Sequence, residues 1–518
     1  MKQEKLILAL DLGTQSARAS IIDTKGNILA IKQEKYEPTY LPSEKGQCEQ
    51  HPDTYFNYIS NATNYLRNNN PDLMDKVIGV VLTTFRDTAV FLDKNYKVLR
   101  PSILWLDQRV ATEVPKVPFW KQILFGIVGM TPVVKYQQQK TMSHWVKQHQ
   151  KEIWDQVHKY VNISTYLNYL LTGELKDTIA NLAGHYPIDY KHATWYGKFE
   201  LKKGIFDIPK HTYCDLVGVG EVIGYVTEEA AKITGIKQGI PLIGTGSDKS
   251  CESLGNGCVD PTFASISYGT ASTVTITSKK YVEPSPFLPA YTAVQKSYYN
   301  SEMQIYRGYW MLNWFKDEFC EKESLEAQIQ KKAALEILNT KMLEIGPGSD
   351  GLILSPYWGP SLERPNSRGS IIGFSEKHTR IHLYRAIIEG IAFCLREAKE
   401  TIERKGRCKV KNIVVSGGGS VSKAICQITS DIFGLPVHKV HTFETSSLGA
   451  AMAGFVGLKV FTDEKEAKDN MVHYTETFTP NQENHQKYNF LFKKVYKKIY
   501  LRIKKLTAYL REFTGEKL

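Results

Sequence analysis

Short apolar runs alternate along this chain with stretches in which apolar residues recur every three or four positions. That is the pattern of buried strands alternating with amphipathic helices. Leu6–Leu10 reads as a strand that ends at Asp11 and turns at Gly13-Thr14. Ala19–Ile22 and Ile28–Ile31, separated by Asp23-Thr24-Lys25-Gly26-Asn27, read as hairpin-connected strands. Pro52-Asp53 opens a helix running towards Asn69, Val77–Leu82 is a buried strand, and Val90–Leu92 with Lys97–Leu99 flanks a turn. The pattern begins anew after Gly246, with strands at Ala264–Tyr268 and Ser272–Thr277 hinged on Gly269-Thr270. Arg380–Glu403 is the strongest helix, with Ile381, Tyr384, Ile388, Ile391, Leu395, Ala398 and Ile402 on one stripe and Gly406 as its stop. Ile413–Val415 runs into Gly417-Gly418-Gly419, followed by a helix ending near Gly434. This predicts an α/β protein in two lobes, with the boundary around residues 250–262.

Composition adds exclusions. With 518 residues, 42% hydrophobic and 23% charged, the chain has the mixture of a multi-domain globular protein and not of a disordered one. No apolar run approaches the roughly 18 residues of a membrane-spanning helix, and the run before Asp11 is too short for a signal peptide. Eight cysteines, none in a Cys-x-x-Cys pair, point to reduced thiols in the cytoplasm. The net charge of +12 comes mostly from the tail, where Lys493, Lys494, Lys497, Lys498, Arg502, Lys504, Lys505 and Arg511 occur without an acidic neighbour. Phe492, Val495, Tyr496, Ile499, Ile503, Leu506 and Leu510 recur there at helical spacing. A docked terminal helix with a solvated basic face is expected, and no nucleic-acid module accompanies it.

Four segments carry chemistry. In Asp11-Leu12-Gly13-Thr14-Gln15-Ser16-Ala17-Arg18 a strand ends in a carboxylate and a Gly-Thr turn offers N–H groups, a hydroxyl and a cation. That set suits a polyphosphate with magnesium: Gly13, Thr14 and Arg18 for the phosphates, Asp11 for the metal or its waters. Ser267-Tyr268-Gly269-Thr270-Ala271-Ser272 repeats the pattern in the second half, which suggests a nucleotide clamped by both lobes. Gly244-Thr245-Gly246-Ser247-Asp248-Lys249-Ser250 puts an aspartate in a small-residue turn where a substrate can approach, so Asp248 is a candidate general base. Gly417-Gly418-Gly419-Ser420 is a turn that can lie flat against a base or phosphate. Neither a Walker A loop nor a complete dinucleotide fingerprint is present.

In order along the chain, these segments resemble the FGGY carbohydrate kinases, a group that includes glycerol, xylulose and gluconate kinases. The resemblance runs from Leu6 to about Gly457 and extends to Thr83-Thr84-Phe85-Arg86-Asp87-Thr88, to Trp105-x-Asp107-x-Arg109, to Gly369–Phe374 with His382 to Glu389, and to Ser446–Ala451. It implies a two-lobed actin-like or hexokinase-like ATPase fold with a cleft. The lobes would span 1–257 (sugar and catalytic base) and 258–460 (ATP), with a basic extension over 461–518. It also implies an ATP-dependent, Mg²⁺-assisted sugar, polyol or sugar-acid kinase, with a sugar sensor that no longer transfers phosphate as the alternative.

By this resemblance Asp248 is the catalytic base and Asp11 the magnesium-associated aspartate. Gly13, Thr14, Gln15, Arg18, Gly269, Thr270, Gly418, Gly419 and Ser422 meet ATP, while Arg86, Asp87, Trp105, Tyr136 and Lys249 meet the sugar. Relatives commonly form dimers or tetramers, so a homo-oligomer is expected. Phe85 and Asp87 depart from the glutamine and glutamate common in the family, and Lys249, beside the base, suggests a substrate carboxylate. His144, His185 and His382 lack metal-ligand spacing and receive no role.

Overall fold

The computed structural model describes residues 4–42, 44, 46–127, 129–197, 203–359, 364 and 366–515. Leu6–Leu12 (β1) is buried at every position, as its unbroken apolar run requires of a strand covered on both faces. Ser16–Ile22 (β2) returns antiparallel beside it, and Ile28–Lys35 (β3) follows as an edge strand with alternating exposure. Val77–Thr84 (β4) lies parallel to β1, and Val222–Tyr225 (β5) and Pro241–Ile243 (β6) complete the first sheet in the order β5-β6-β4-β1-β2-β3. The helix Pro52–Asn69, with proline in its first turn, packs Tyr55, Phe56, Ile59, Ala62 and Leu66 towards β2 and β3.

The second sheet contains Phe263–Tyr268 (β7), Ser272–Ser278 (β8), Tyr299–Ile305 (β9), Asn412–Ser416 (β10), Val437–Val440 (β11) and Tyr474–Phe478 (β12). Their order is β9-β8-β7-β10-β11-β12, with β7 antiparallel to β8 and parallel to β10. Lys97–Leu99 forms no strand, only a bridge from Val98 to Leu92.

Contacts divide the chain into two units that are discontinuous in sequence. One joins the chain up to Gly255 with Tyr291–Tyr299 and Glu444–Val472; the other joins Asn256–Ala290, Asn300–Phe443 and the chain from His473 on. This differs from the linear division read from the sequence. The physical reason is the helix Thr445–Gly457, which packs on β1 and β4 of the first sheet although it follows most of the second unit.

The longest helix, Arg380–Gly406, organises the second core. Thr379 caps it and accepts from the Ile381 N–H, while His382 Nδ1 accepts from the Thr379 N–H. His382 is therefore a capping residue. The helix continues through Gly406, and the left-handed turn falls at Arg407. The tail docks on this helix. Phe393 packs against Tyr488, Phe492 and Tyr496, and Tyr488 donates a hydrogen bond to Glu389, which Arg385 also reaches. Docking runs past Ile499: Ile503 packs against the same core and Thr507 and Arg511 are buried, while Leu506 and Leu510 are exposed, so the covered face leaves the expected apolar stripe after Ile503. Among the described residues no helix is long and apolar enough to cross a membrane.

Candidate active site

Asp11 is the next-to-last residue of β1, opposite Arg18 of β2 in the hairpin register, and the turn between them is closed by Gly13 N–H to Ser16 O at 3.0 Å. Arg18 lies 3.9 Å from Asp11 and 3.3 Å from Glu444. Burial, opposed by Arg18 and reinforced by Glu444, Asp248 and Glu252, pushes the Asp11 carboxyl up to about 7. Four carboxylates thus share one electrostatic neighbourhood. The sequence reading named Asp11 and Asp248 but missed Glu252 and Glu444. Glu252 stands one helical turn beyond Asp248, a spacing that places both on one face. Glu444 immediately precedes the helix Thr445–Gly457.

Asp248 is the first residue of the helix Asp248–Gly255. Three hydroxyls latch the loop before it: Thr83 donates to Gly246 O at 2.8 Å, Thr178 to Thr245 O, and Thr245 to Leu82 O. Thr178 is steadied in turn by a buried network in which Asp177 accepts from Ser164, Thr165 and Asn181. The helix itself is held against Thr445–Gly457 at backbone contact distance. A Cβ on Gly255 would lie 1.9 Å from Thr445 O, and one on Gly449 1.9 Å from Cys251 O, so neither position admits a side chain. Asp248 is only partly buried, and burial raises its pKa against the lowering charges of Lys249 and Arg86. Lys249 Nζ is paired with Glu252 at 2.7 Å. Cys251 is fully buried, its thiol directed at Gly246 O, as befits a packing residue.

The acceptor-side residues separate into two groups. The Trp105 indole N–H donates to Thr14 Oγ1 at 3.1 Å, joining the segment assigned to sugar with the turn assigned to phosphate. Asp87 and Arg86 belong with the candidate base, since the Arg86 charge acts on both Asp87 and Asp248. By contrast, Asp107 and Arg109 are a brace: Asp107 accepts from the Cys48 N–H and from Arg109, whose guanidinium covers Trp145 at 4.4 Å. Phe85 is a core side chain edge-on to Tyr55. Tyr136 stands 44% exposed on the helix Thr131–Lys140. The residue of that helix that senses Asp107 and Asp87 is Lys140, which the sequence reading did not assign; burial holds its pKa down against their pull. His144 is a structural link, bonded through both ring nitrogens to Gln138 O and Phe206 O.

In the second unit the hairpin β7–β8 turns at Gly269-Thr270, whose carbonyls accept from Tyr309 and Trp310 N–H groups. Gly417, in the left-handed region, and Gly419 pack flat on Tyr268 and Tyr309, leaving Gly418 exposed. Ser422 caps the helix Lys423–Phe433 by accepting from the Ile425 N–H.

Family models of the FGGY carbohydrate kinases match most of the chain, the N-terminal domain over residues 6–255 and the C-terminal domain over 264–458. The chain belongs to this family. It is an ATP-dependent carbohydrate kinase, a phosphotransferase acting on an alcohol group of a sugar, polyol or sugar acid. Among relatives, it is 28% identical over 496 residues to a protein named uncharacterized sugar kinase YgcE of Escherichia coli (strain K12), covering 95% of this chain and 93% of that one. It is 26% identical to the xylulose kinase of Lactococcus lactis, covering 98% and 99%. The crystal structure of xylulose kinase from Rhodospirillum rubrum superposes with a TM-score of 0.82 at 23% identity, covering 97% of the kinase and all of that chain. The fold is the two-lobed actin-like ATPase fold.

Proposed function

We propose that Asp248 is the general base of this kinase. It takes the proton of an acceptor hydroxyl as that oxygen bonds to the γ-phosphorus of ATP, and the bond to the leaving ADP oxygen breaks with its electron pair. The observation that supports this most is the latched loop. Three hydroxyls and a glycine-tight helix contact fix a carboxylate that is still partly exposed and has a raised pKa. A base held in place and tuned upward loses little to reorganisation and accepts a proton at higher pH than an ordinary aspartate.

Around Gly13, whose own N–H closes the turn on Ser16, Thr14 and Gln15 offer N–H groups and Arg18 a cation for phosphate, and Gly269, Thr270, Gly418 and Gly419 offer backbone N–H groups in the second unit. Ser422 contributes through its helix cap. On the acceptor side, Arg86, Trp105 and the exposed Tyr136 meet hydroxyls, and Asp87, whose two oxygens are engaged by His185, acts there through its neighbours. Lys249 lowers the Asp248 pKa and is paired with Glu252, which removes the case for a carboxylate on the substrate.

The acid set fits Mg²⁺. Asp11 is raised to about 7 chiefly by burial, with Glu444, Asp248 and Glu252 adding to it against Arg18, and a divalent cation would relieve that cost of holding the carboxylate ionised. When bound, Mg²⁺ would supply charge neutralisation on the phosphates, with Asp11 holding it directly or through water. The reading places the enzyme in the cytoplasm, where ATP is supplied, as a homo-oligomer whose size sedimentation would measure.

The test is ADP release from Mg-ATP across D-xylulose, D-ribulose, xylitol, glycerol and D-gluconate. One acceptor raising turnover well above the ATP-only rate supports the reading. Tight ATP binding with no stimulation by any of them would favour the sensor alternative.

A further inference from the structure

Asp87 and His185, 98 residues apart in sequence, form one unit. Asp87 lies in the left-handed region at φ 53°, a conformation that non-glycine residues adopt rarely. Its N–H donates to Ala183 O at 3.1 Å. Its carboxylate is turned to the other segment, where the His185 N–H donates to Oδ1 at 2.9 Å and His185 Nδ1 lies 2.6 Å from Oδ2. Between them Gly184, at φ +146°, brings its backbone so close that a Cβ there would lie 2.3 Å from Asp87 Oδ1. Two uncommon backbone conformations are spent on making this contact.

The contact fixes the imidazole chemistry. Burial raises the Asp87 pKa, but the charge and hydrogen bonds of His185, with Arg86, draw it below the ordinary carboxylate value, so Asp87 is ionised and can only accept. Nδ1 therefore carries a proton, and in the neutral ring Nε2 carries a lone pair directed away from Asp87. No hydrogen bond to Nε2 is formed among the described residues, and the side chain keeps 21% of its exposure. Nearby cations are already matched. Arg86 is balanced by Asp87 and Asp248, Lys249 by Glu252, and the half-buried Lys140 feels Asp107 and Asp87. Little uncompensated positive charge is left for an anionic acceptor.

We propose that His185 Nε2 accepts a hydrogen bond from a hydroxyl of a neutral sugar or polyol, with Asp87 holding the ring, so that the His185–Asp87 pair selects the substrate. This rests on the reading that the first unit takes the acceptor. The Asp87 carboxylate, one methylene shorter than glutamate, hands its recognition role to the imidazole it orients. A pocket built to receive a hydroxyl rejects analogues lacking it far more strongly than an apolar pocket rejects a missing methylene.

Two variants separate contact from scaffold. In His185→Asn the carboxamide can still donate to Asp87 but nothing reaches the Nε2 position; in His185→Gln the carboxamide reaches that position. Both are compared with wild type on D-xylulose, D-ribulose, xylitol, glycerol and D-gluconate, with KM for acceptor and ATP, kcat and melting temperature recorded. Wild type should prefer a neutral acceptor to D-gluconate. His185→Asn should raise the acceptor KM about tenfold or more and leave the ATP KM within about twofold, with His185→Gln recovering part of the loss.

An acceptor KM within about twofold of wild type in His185→Asn would overturn the contact, as would a loss that follows melting temperature and is not recovered by glutamine. Preference for D-gluconate would overturn the substrate class. Failure of wild type on every acceptor is a different result: it refutes the acceptor-site reading itself, and this inference falls with it.

Discussion

The two units share one strand plan and differ in what stands at its turn. In each, a buried strand pairs antiparallel with the next strand and parallel with a later one, and the hairpin turns at Gly-Thr. In the first, Asp11 stands next to the end of the strand, and burial, with Glu444, Asp248 and Glu252 adding to it, raises its pKa. In the second, the equivalent position is Ser267, and the turn is held by backbone bonds from Tyr309 and Trp310. On the proposed reading, one backbone scaffold offers N–H groups for phosphate twice, and side chains alone make one copy the place where charge and protons are handled. On this account the first unit carries the transfer chemistry and the second the nucleotide.

Breaking the acidic set should have the largest effect. Asp11→Asn should lower kcat by about 10²-fold or more, a loss of order 3 kcal/mol in transition-state stabilisation, and raise the Mg²⁺ concentration needed for half-maximal rate. Magnesium titrations of both proteins check this.

The pH profile comes next. Asp248 must be ionised to accept a proton, so activity falls as pH drops through its pKa, and a raised pKa moves that fall above the ordinary carboxylate range. Arg86 and Lys249 pull the pKa down, while burial and Glu252 push it up. Lys249→Met removes a lowering charge and unpairs Glu252, so the acid limb of kcat/KM should move to still higher pH. A limb that stays or moves down would contradict the assignment.

The two turns can then be set against each other. Thr14→Val removes the acceptor of the Trp105 indole N–H, so the KM of both ATP and acceptor should rise about two- to tenfold, the range of one neutral hydrogen bond. Thr270→Val should affect ATP alone. Smallest is Ser422→Ala, which removes a helix cap and should cost about 0.5–1 kcal/mol of stability with both KM values unchanged. A clear rise in the ATP KM would make Ser422 a nucleotide contact.

Local signals in the sequence reached far. Strand runs, both Gly-Thr turns, the Asp248 loop and the long helix are each written in consecutive residues, where period and turn chemistry act. What was not legible is what folding brings from a distance. His185 reaches Asp87 only through the unusual backbone of Gly184, and Glu444 joins Asp11 because a late helix returns to the first sheet. Phe85 beside Arg86 and Asp87 looks like a pocket residue in sequence, yet it faces Tyr55 in the core, as strand alternation into the following turn allows. The tail stripe is regular from Phe492 to Leu510, but periodicity does not say which face the partner surface covers, and past Ile503 the buried positions are Thr507 and Arg511 in place of Leu506 and Leu510.

The central claim is that proton transfer and nucleotide binding are carried by different residues in different units. Measuring ADP affinity by calorimetry and acceptor-dependent turnover on the same preparation of Asp248→Asn tests it directly. The account predicts turnover lower by about 10²–10⁴ with ADP affinity within about twofold of wild type. More than about a tenth of the wild-type turnover, or ADP affinity lost in step with activity, would contradict it.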